Sequence, residues 1–290
     1  MPSVQDKQVR FNAWNATFNI AIPFGRGQFT ALIADGVLGP RSTAAFAAMT
    51  AKKPAWLLET PPPAITAVDS LSEVSAPLLS LVTSAIGVKP VWWGRYISVF
   101  KAADVCAISS AEGAVLADAS IPVQPISANA ARLGLLSKGA ATGASEAVRD
   151  LQLLQQVTKN APRMTKRVFL DLEENTSLSP AFYVAWSTAM AKAGWEPAVY
   201  MPNRLHPGQW IALRTAIGMG AVCAGIWSAW YAFQTQAALD AGSSHYMAVP
   251  WDACFAGNDD SHDCAWQYMG ALDGDKWDAT VFKPGVQAWW

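Results

Sequence analysis

The segment RVFLDLEEN (167–175) sets Asp171 and Glu173 two residues apart at the end of an apolar run. In a strand, alternation places both carboxyls on one face with Phe169 and turns Glu174 the other way. Two acids side by side in a partly dry pocket cannot both ionise freely. Repulsion and desolvation raise one of them, which makes a general acid beside a charged stabiliser. Cleavage of a glycosidic bond needs such a pair. The same spacing admits other readings. A DxE can hold a divalent metal, with Asp252 as a third acid, or Asp171 can cap the following loop while Glu173 sits solvated at a rim.

The elements that would position these acids read as strand–helix repeats. Strands are expected at 64–69, 90–98, 121–129, 167–175, 196–203, 222–231, 245–253 and 264–270. Helices are expected near Ser72 and at 109–119, 145–159, 180–193, 207–217 and 234–240. Ser109 with Glu112, and Ser70 with Glu73, have the spacing of a capping box, which satisfies free amides at a helix start. Ser179-Pro180 starts another helix and Gly194 can end it. Repeats of this kind imply parallel strands with helices outside. Eight of them point to an α/β fold, a (β/α)8 TIM-like barrel, with an open doubly wound sheet as the competing arrangement. No glycine-rich phosphate loop follows the first strand.

In such a barrel, chemistry sits at the C-terminal strand ends. Those ends carry Asp69, then Asp171 and Glu173, then Tyr200, then Trp227 and Trp230, then Trp251 and Asp252, and finally Gln267 and Tyr268. Flat aromatic faces beside carboxylates suit sugar rings.

Composition narrows the class. The chain has 290 residues, a net charge of −1 and a hydrophobic fraction of 52%. Intrinsic disorder is excluded, because it requires few apolar residues and uncompensated charge. A counterion-releasing nucleic-acid binder would need a basic excess that is absent. The 14 Trp call for either a bulky core or a flat ligand. The uncharged run Thr215–Leu239 has the length of a membrane span. Its glycines, glutamines and central VCAGIWSAWY instead fit a strand covered on both faces. Asn12, Asn15 and Asn19 interrupt any N-terminal apolar stretch, so no secretory signal is expected and the export route is unassigned. Cys106, Cys223, Cys254 and Cys264 lack CxxC spacing. Cys254 and Cys264 could staple the FAGNDDSHD loop, or all four could be buried thiols. His206, His245 and His262 show no ligand spacing, and no metal site is expected from them. The NDDSHD run could bind calcium, with a solvated acidic loop as the plainer reading.

The ordered set Asp69, WWGRYIS (92–98), IPVQPIS (121–127), VFLDLEEN (168–175), GWEPAVYMP (194–202), AGIWSAWY (224–231) and WQY (266–268) resembles the glycoside-hydrolase-like barrels related to family-25 muramidases. That resemblance covers about 220 residues, essentially residues 64–290. It implies a peptidoglycan hydrolase with Asp69, Asp171 and Glu173 as catalytic residues and Glu173 as proton donor. It implies that the substrate's N-acetyl group acts as internal nucleophile, oriented or stabilised by Asp171 and positioned with help from Tyr200. The final aspartate of the pattern falls on Asp278, although Asp273 and Asp275 lie in the same segment. Tyr200, Trp227, Trp230, Trp251, Gln267, Tyr268 and Asp278 are thus expected to bind substrate. Some proteins of this group have no demonstrated hydrolase activity, so a non-catalytic carbohydrate- or cell-wall-binding protein is the alternative.

Three consecutive prolines (61–63) in KKPAWLLETPPP (52–63) mark a spacer, taken as a linker over 54–63. Ahead of it, DGVLGPRSTAAFAAM (35–49) is similar to the DGxFGPxTxxAVxxF signature of small helical peptidoglycan-binding domains. Asp35, Gly36, Gly39, Pro40, Ala44 and Ala45 match. Residues 1–53 are therefore expected to form a small helical wall-binding module, with a plain helical cap on the barrel as the other possibility. The partner implied is peptidoglycan or a related glycan, with no cofactor, no nucleic acid and no membrane span. The expected form is a monomer acting at the cell wall, extracellular or phage-borne.

Overall fold

The computed structural model describes residues 8, 22–24, 27–29, 39–52, 66–97, 108–172, 176–202, 207–229, 263–271 and 277–282. At the N-terminal side, β1 (Ile22–Phe24) and β2 (Gly27–Phe29) form an antiparallel hairpin, and α1 (Pro40–Lys52) packs near β1. Most of residues 1–38, where the small helical module was expected, lie outside the described residues. Within α1, Ser42 is buried and accepts a hydrogen bond from Gln8 at 3.0 Å.

The rest is an α/β assembly. Its strands are β3 (Thr66–Asp69), β4 (Trp93–Tyr96), β5 (Val123–Ser127), β6 (Arg167–Asp171), β7 (Glu196–Pro202), β8 (Ile226–Ala229), β9 (Asp263–Ala271) and β10 (Trp277–Phe282). Between them lie α2 (Ala76–Ile86), α3 (Ser110–Asp118), α4 (Asn129–Arg132), α5 (Ala140–Asn160), α6 (Pro180–Lys192) and α7 (Pro207–Gly218). Successive pairs from β3 to β9 are parallel, whereas β10 lies antiparallel between β9 and β3, and the curled mixed sheet closes through it.

This departs from a ring of eight parallel β/α units. The link from Ala271 to Trp277 is too short for the crossover of about a dozen residues that a parallel neighbour requires, so β10 must return antiparallel. The strand expected at 245–253 lies outside the described residues, and β9 takes the place beside β8. The uncharged 215–239 run does not form one span: α7 ends at Gly218 and the chain enters the sheet at Ile226. Among the described residues, no helix is long and apolar enough to cross a membrane.

Alternation divides the sheet into two cores. Ala67, Trp92, Ile126, Phe169, Ala198, Trp227 and Ala265 fill the interior. Val68, Trp93, Val123, Val168, Leu170, Val199 and Ile226 point outward to the helices. Trp92 and Trp93 thus serve opposite faces, as adjacent strand residues must. Against the outer face, α6 buries Phe182, Trp186 and Met190, and each fully buried side chain of this size contributes about 2–3 kcal/mol. Helices α5 and α6 cross closely at Gly143, where an added Cβ would stand 2.2 Å from the Phe182 carbonyl oxygen.

The helix starts show which caps operate. Ser109 caps α3 by accepting from the Glu112 amide at 3.1 Å. The expected reciprocal half is missing, because the Glu112 carboxylate is committed elsewhere. Ser70 and Glu73 do not cap α2. Ser75 does, accepting from Leu78 N at 3.3 Å with a proline in the first turn. Ser179 is the N-cap of α6 with Pro180 behind it, and Gly194 lies beyond its C-terminus at φ 86°.

Candidate active site

Asp69 is the last residue of β3 and Asp171 the last of β6, so both stand at the same end of the parallel strands. Because β10 runs the other way, its second residue, Asp278, reaches that end too and pairs directly with Asp69. All three follow interior-facing positions by alternation: Ala67, Phe169 and Thr280. Asp69 and Asp171 are 4% and 1% exposed, respectively.

Gln267 joins the two aspartates of the β3–β10 pair. Its Nε2 donates to Asp69 Oδ1 at 2.9 Å and to Asp278 Oδ2 at 3.2 Å. Its Oε1 accepts from the Tyr200 hydroxyl at 2.5 Å. Tyr200 in turn pairs with Asp171 across β6–β7. A register shift between Ala279 and Thr280 skips Tyr268, so that Thr280 pairs with Gln267 and Ala279 with Met269. Such bulges re-aim side chains beside functional sites.

Burial is the main force on Asp69 and raises its carboxyl well above the usual aspartate range. The neighbouring charge of Asp278 raises it further, the Gln267 hydrogen bond pulls it down, and Asp171 adds a smaller upward push. Asp69 therefore keeps its proton into a range where an exposed aspartate has lost it.

Below the acids, Trp227 is the floor. It is fully buried, donates from Nε1 to Thr280 Oγ1 at 3.1 Å, and meets Trp92, Phe169 and Tyr200 edge-on at 5.1, 5.3 and 4.9 Å. Expected to bind substrate, Trp227 here packs beneath the acids. Among the described residues, half-buried Val91, Tyr96 and Tyr200 pack against this interior cluster. Gln267, expected to touch substrate, is likewise fully buried and spends its amide on the two acids and the phenol. Asp278 is half-buried at the same centre. Tyr268 is adjacent on β9, its side chain outside the described set. Glu173, Trp230, Trp251 and Asp252 lie outside the described residues. Among the described residues, no group of three His, Cys, Asp or Glu is disposed to hold a metal. Cys223 is half-buried, and Cys106 and Cys254 lie outside the described residues.

Sequence reasoning passed over the outer brace of Asp69. Gly94 pairs with Asp69 across β3–β4, and a Cβ there would stand 2.6 Å from Asp69 Cβ. Only glycine leaves the aspartate its place. Its neighbours finish the clamp from the outer face. Trp93 Nε1 donates to Ser70 Oγ at 2.8 Å, and Arg95 Nη1 donates to the carbonyls of Ser70 and Leu71 at 2.6 and 3.0 Å. Fully buried Arg95 is itself held by Glu112, with Nε to Oε1 at 2.5 Å, while that carboxylate also accepts from Val74 N at 3.0 Å. The signal was present as Trp93-Gly94-Arg95 within WWGRYIS: a glycine and an arginine inside a strand otherwise read as core.

No family model matches the chain, and no curated protein sequence does. Among solved structures, the chain is similar to the crystal structure of an uncharacterized B. stearothermophilus protein. They share 20% identity over 76% of this chain and 96% of that one, with a TM-score of 0.61. It also aligns with the Tat-secreted protein Rv2525c of Mycobacterium tuberculosis in complex with L-tartrate, at 14% identity over 78% of this chain and 98% of that one, TM-score 0.48. A third is the catalytic domain of endolysin ply40 from bacteriophage P40 of Listeria monocytogenes, at 12% identity over 78% and 96%, TM-score 0.45. The two lower scores carry no argument about activity. What the first likeness shows is a shared fold.

Proposed function

We propose that the chain is a glycoside-hydrolase-like cell-wall protein that cuts peptidoglycan by a muramidase-type reaction. The observation that carries this reading is the meeting of Asp69 and Asp278 on the paired strands β3 and β10 with Asp171 of β6 at one end of the sheet, over an aromatic floor. Acids gathered at one end of the sheet, one of them with a raised proton affinity, are the groups that acid-assisted bond cleavage uses. The likeness of the sequence to family-25 muramidases agrees with it.

In this reading Glu173, two residues past Asp171, gives its proton to the leaving glycosidic oxygen as the bond to the anomeric carbon breaks. The substrate's N-acetyl oxygen closes on that carbon, and Asp171 orients it and offsets the positive charge that develops. Asp69, holding its proton, donates a hydrogen bond instead of opposing charge. Water then opens the cyclic intermediate and restores the proton to Glu173. Tyr200 and Asp278 border the sugar. Residues 1–53 act as the wall-binding module, 54–63 as the linker and 64–290 as the hydrolase unit, working as a monomer at the wall, extracellular or phage-borne.

The test is digestion of purified peptidoglycan by the wild-type chain and by Glu173→Gln. The expected result is new reducing ends from the wild type and a loss of at least a thousandfold in the variant, with folding unchanged. Equal lysis by both would remove Glu173 from this role.

A second reading draws on the near-complete burial of Asp69, Asp171 and Gln267. It is a barrel that binds glycan without turning it over. Co-sedimentation with insoluble peptidoglycan, without release of reducing ends, would select it.

A further inference from the structure

We propose that Gln267 is the positioning residue of the acidic centre, its one amide nitrogen holding Asp69 and Asp278 together and its amide oxygen kept in register by the Tyr200 hydroxyl. The inference rests on the hydrolase reading for its purpose but on hydrogen-bond chemistry for its substance.

A glutamine amide can be placed in either of two orientations, and here its partners decide. A phenol hydroxyl donates to Oε1, and an ionised carboxylate can only accept, so Nε2 must face the aspartates. The flipped amide would aim its oxygen at two acids, which is tolerable only if both were protonated. A protonated aspartate still offers its carbonyl oxygen to Nε2, so the same orientation serves a centre in which Asp69 keeps its proton. Gln267 is fully buried, so no water competes for these bonds. Its three partners come from three other strands, β3, β7 and β10, and the side chain ties together parts of the sheet that are not all neighbours. Among the described residues, Asp69 is faced by Asp278 on β10, Gln267 on β9 and Asp171 on β6. Arg95 points to the outer face, into Glu112. Among the described residues, the groups that act on Asp69 are thus two acids and one amide.

The consequence is a directional one. The Gln267 hydrogen bond favours ionised Asp69 and opposes the push from burial and from Asp278. Without the amide, Asp69 binds its proton more tightly. Without the phenol, the amide loses its anchor and the same change follows, smaller.

The experiment is a pH titration of aspartate carboxyl carbons by carbon-13 NMR on the whole chain, with Asp69→Asn assigning the Asp69 signal. Wild type, Gln267→Leu and Tyr200→Phe are compared, and far-ultraviolet circular dichroism checks folding. The expected result is a roughly tenfold tighter proton at Asp69 in Gln267→Leu and about threefold in Tyr200→Phe. If Gln267→Leu does not fold, the conservative phenol variant decides alone. An Asp69 titration unmoved in every variant that folds overturns the proposal. A residue that merely fills space would leave this titration where it was. The readout needs no turnover. Shifted titrations with no reducing ends from the wild type would sink the hydrolase reading alone, and turnover with unmoved titrations would sink the positioning role alone.

Discussion

Buried acids occur on both faces of the sheet, and the two faces treat them differently. On the outer face, Glu112 is met by Arg95 and by a backbone amide, and Glu146 accepts from Asn129 Nδ2 at 2.5 Å. Asp150 accepts from Ser127 Oγ at 2.8 Å and from Trp186 Nε1 at 2.9 Å, tying β5, α5 and α6 together. On the inner face, Asp69 has Asp278 and Asp171 for neighbours and a neutral amide for relief. Outside, Glu112 is matched by a cation and Glu146 and Asp150 by neutral donors, with burial still pushing Asp150 up. Inside, acids are set against one another, an arrangement that costs stability and makes a proton available. The Arg95 clamp connects the two: a neutralised pair outside holds the loop that follows the strained acid inside.

That contrast can be broken at several points. The largest expected effect is at the staple. Glu112→Ala leaves the Arg95 guanidinium buried without its carboxylate and should cost about 4 kcal/mol in urea unfolding. A loss below about 1 kcal/mol would mean that the pair is not structural in this sense. Next comes the shared wall. Gly94→Ala forces a methyl group against Asp69 Cβ and should cost about 3 kcal/mol. It should also displace the carboxyl, visible as a changed Asp69 titration, and an unshifted titration would break the link between brace and acid.

The smallest effect sharpens the outer side. Asp150 is pushed up from 3.8 to about 7, chiefly by burial, with Glu146 raising it while Trp186, Ser127 and Arg149 lower it. Between those two pH values the folded chain keeps a proton that the unfolded chain has released, so stability falls as pH rises through that window. Asp150→Asn should remove this slope and leave the variant about 2 kcal/mol more stable than wild type at pH 8, read from urea midpoints across pH. A parallel pH dependence in both proteins would show that Asp150 is ionised in the fold. It would then belong with the matched charges, not with the strained ones.

Much of the frame was legible residue by residue. Strands at β3 to β9 and helices α3, α5, α6 and α7 carry their own periodicity, caps and stops, all of which are local. The Ser109 cap was readable, whereas the Glu112 half of the expected box was not, because Arg95, 17 residues away, takes that carboxylate. Ser70 and Glu73 failed as a cap for the same kind of reason. Ser70 accepts from Trp93, and Glu73 accepts from Ser109 at 2.5 Å. The strand at Trp277–Phe282 was passed over because its pattern is short and its direction depends on the length of the link before it.

By itself the sequence determined which residues are acids at strand ends, which faces are apolar and where helices begin, because these follow from alternation, helical period and backbone capping within a few residues. It determined that Asp69, Asp171 and Asp278 were available. Only the tertiary structure decided that Asp278 meets Asp69, that Gln267 lies between them, and that Trp227 packs beneath the acids. Those outcomes depend on an antiparallel return strand that closes the sheet, and Asp69 and Gln267 are 198 residues apart in the chain. Proton affinity and enclosure are properties of what surrounds a side chain, and that surrounding exists only once distant strands are brought together.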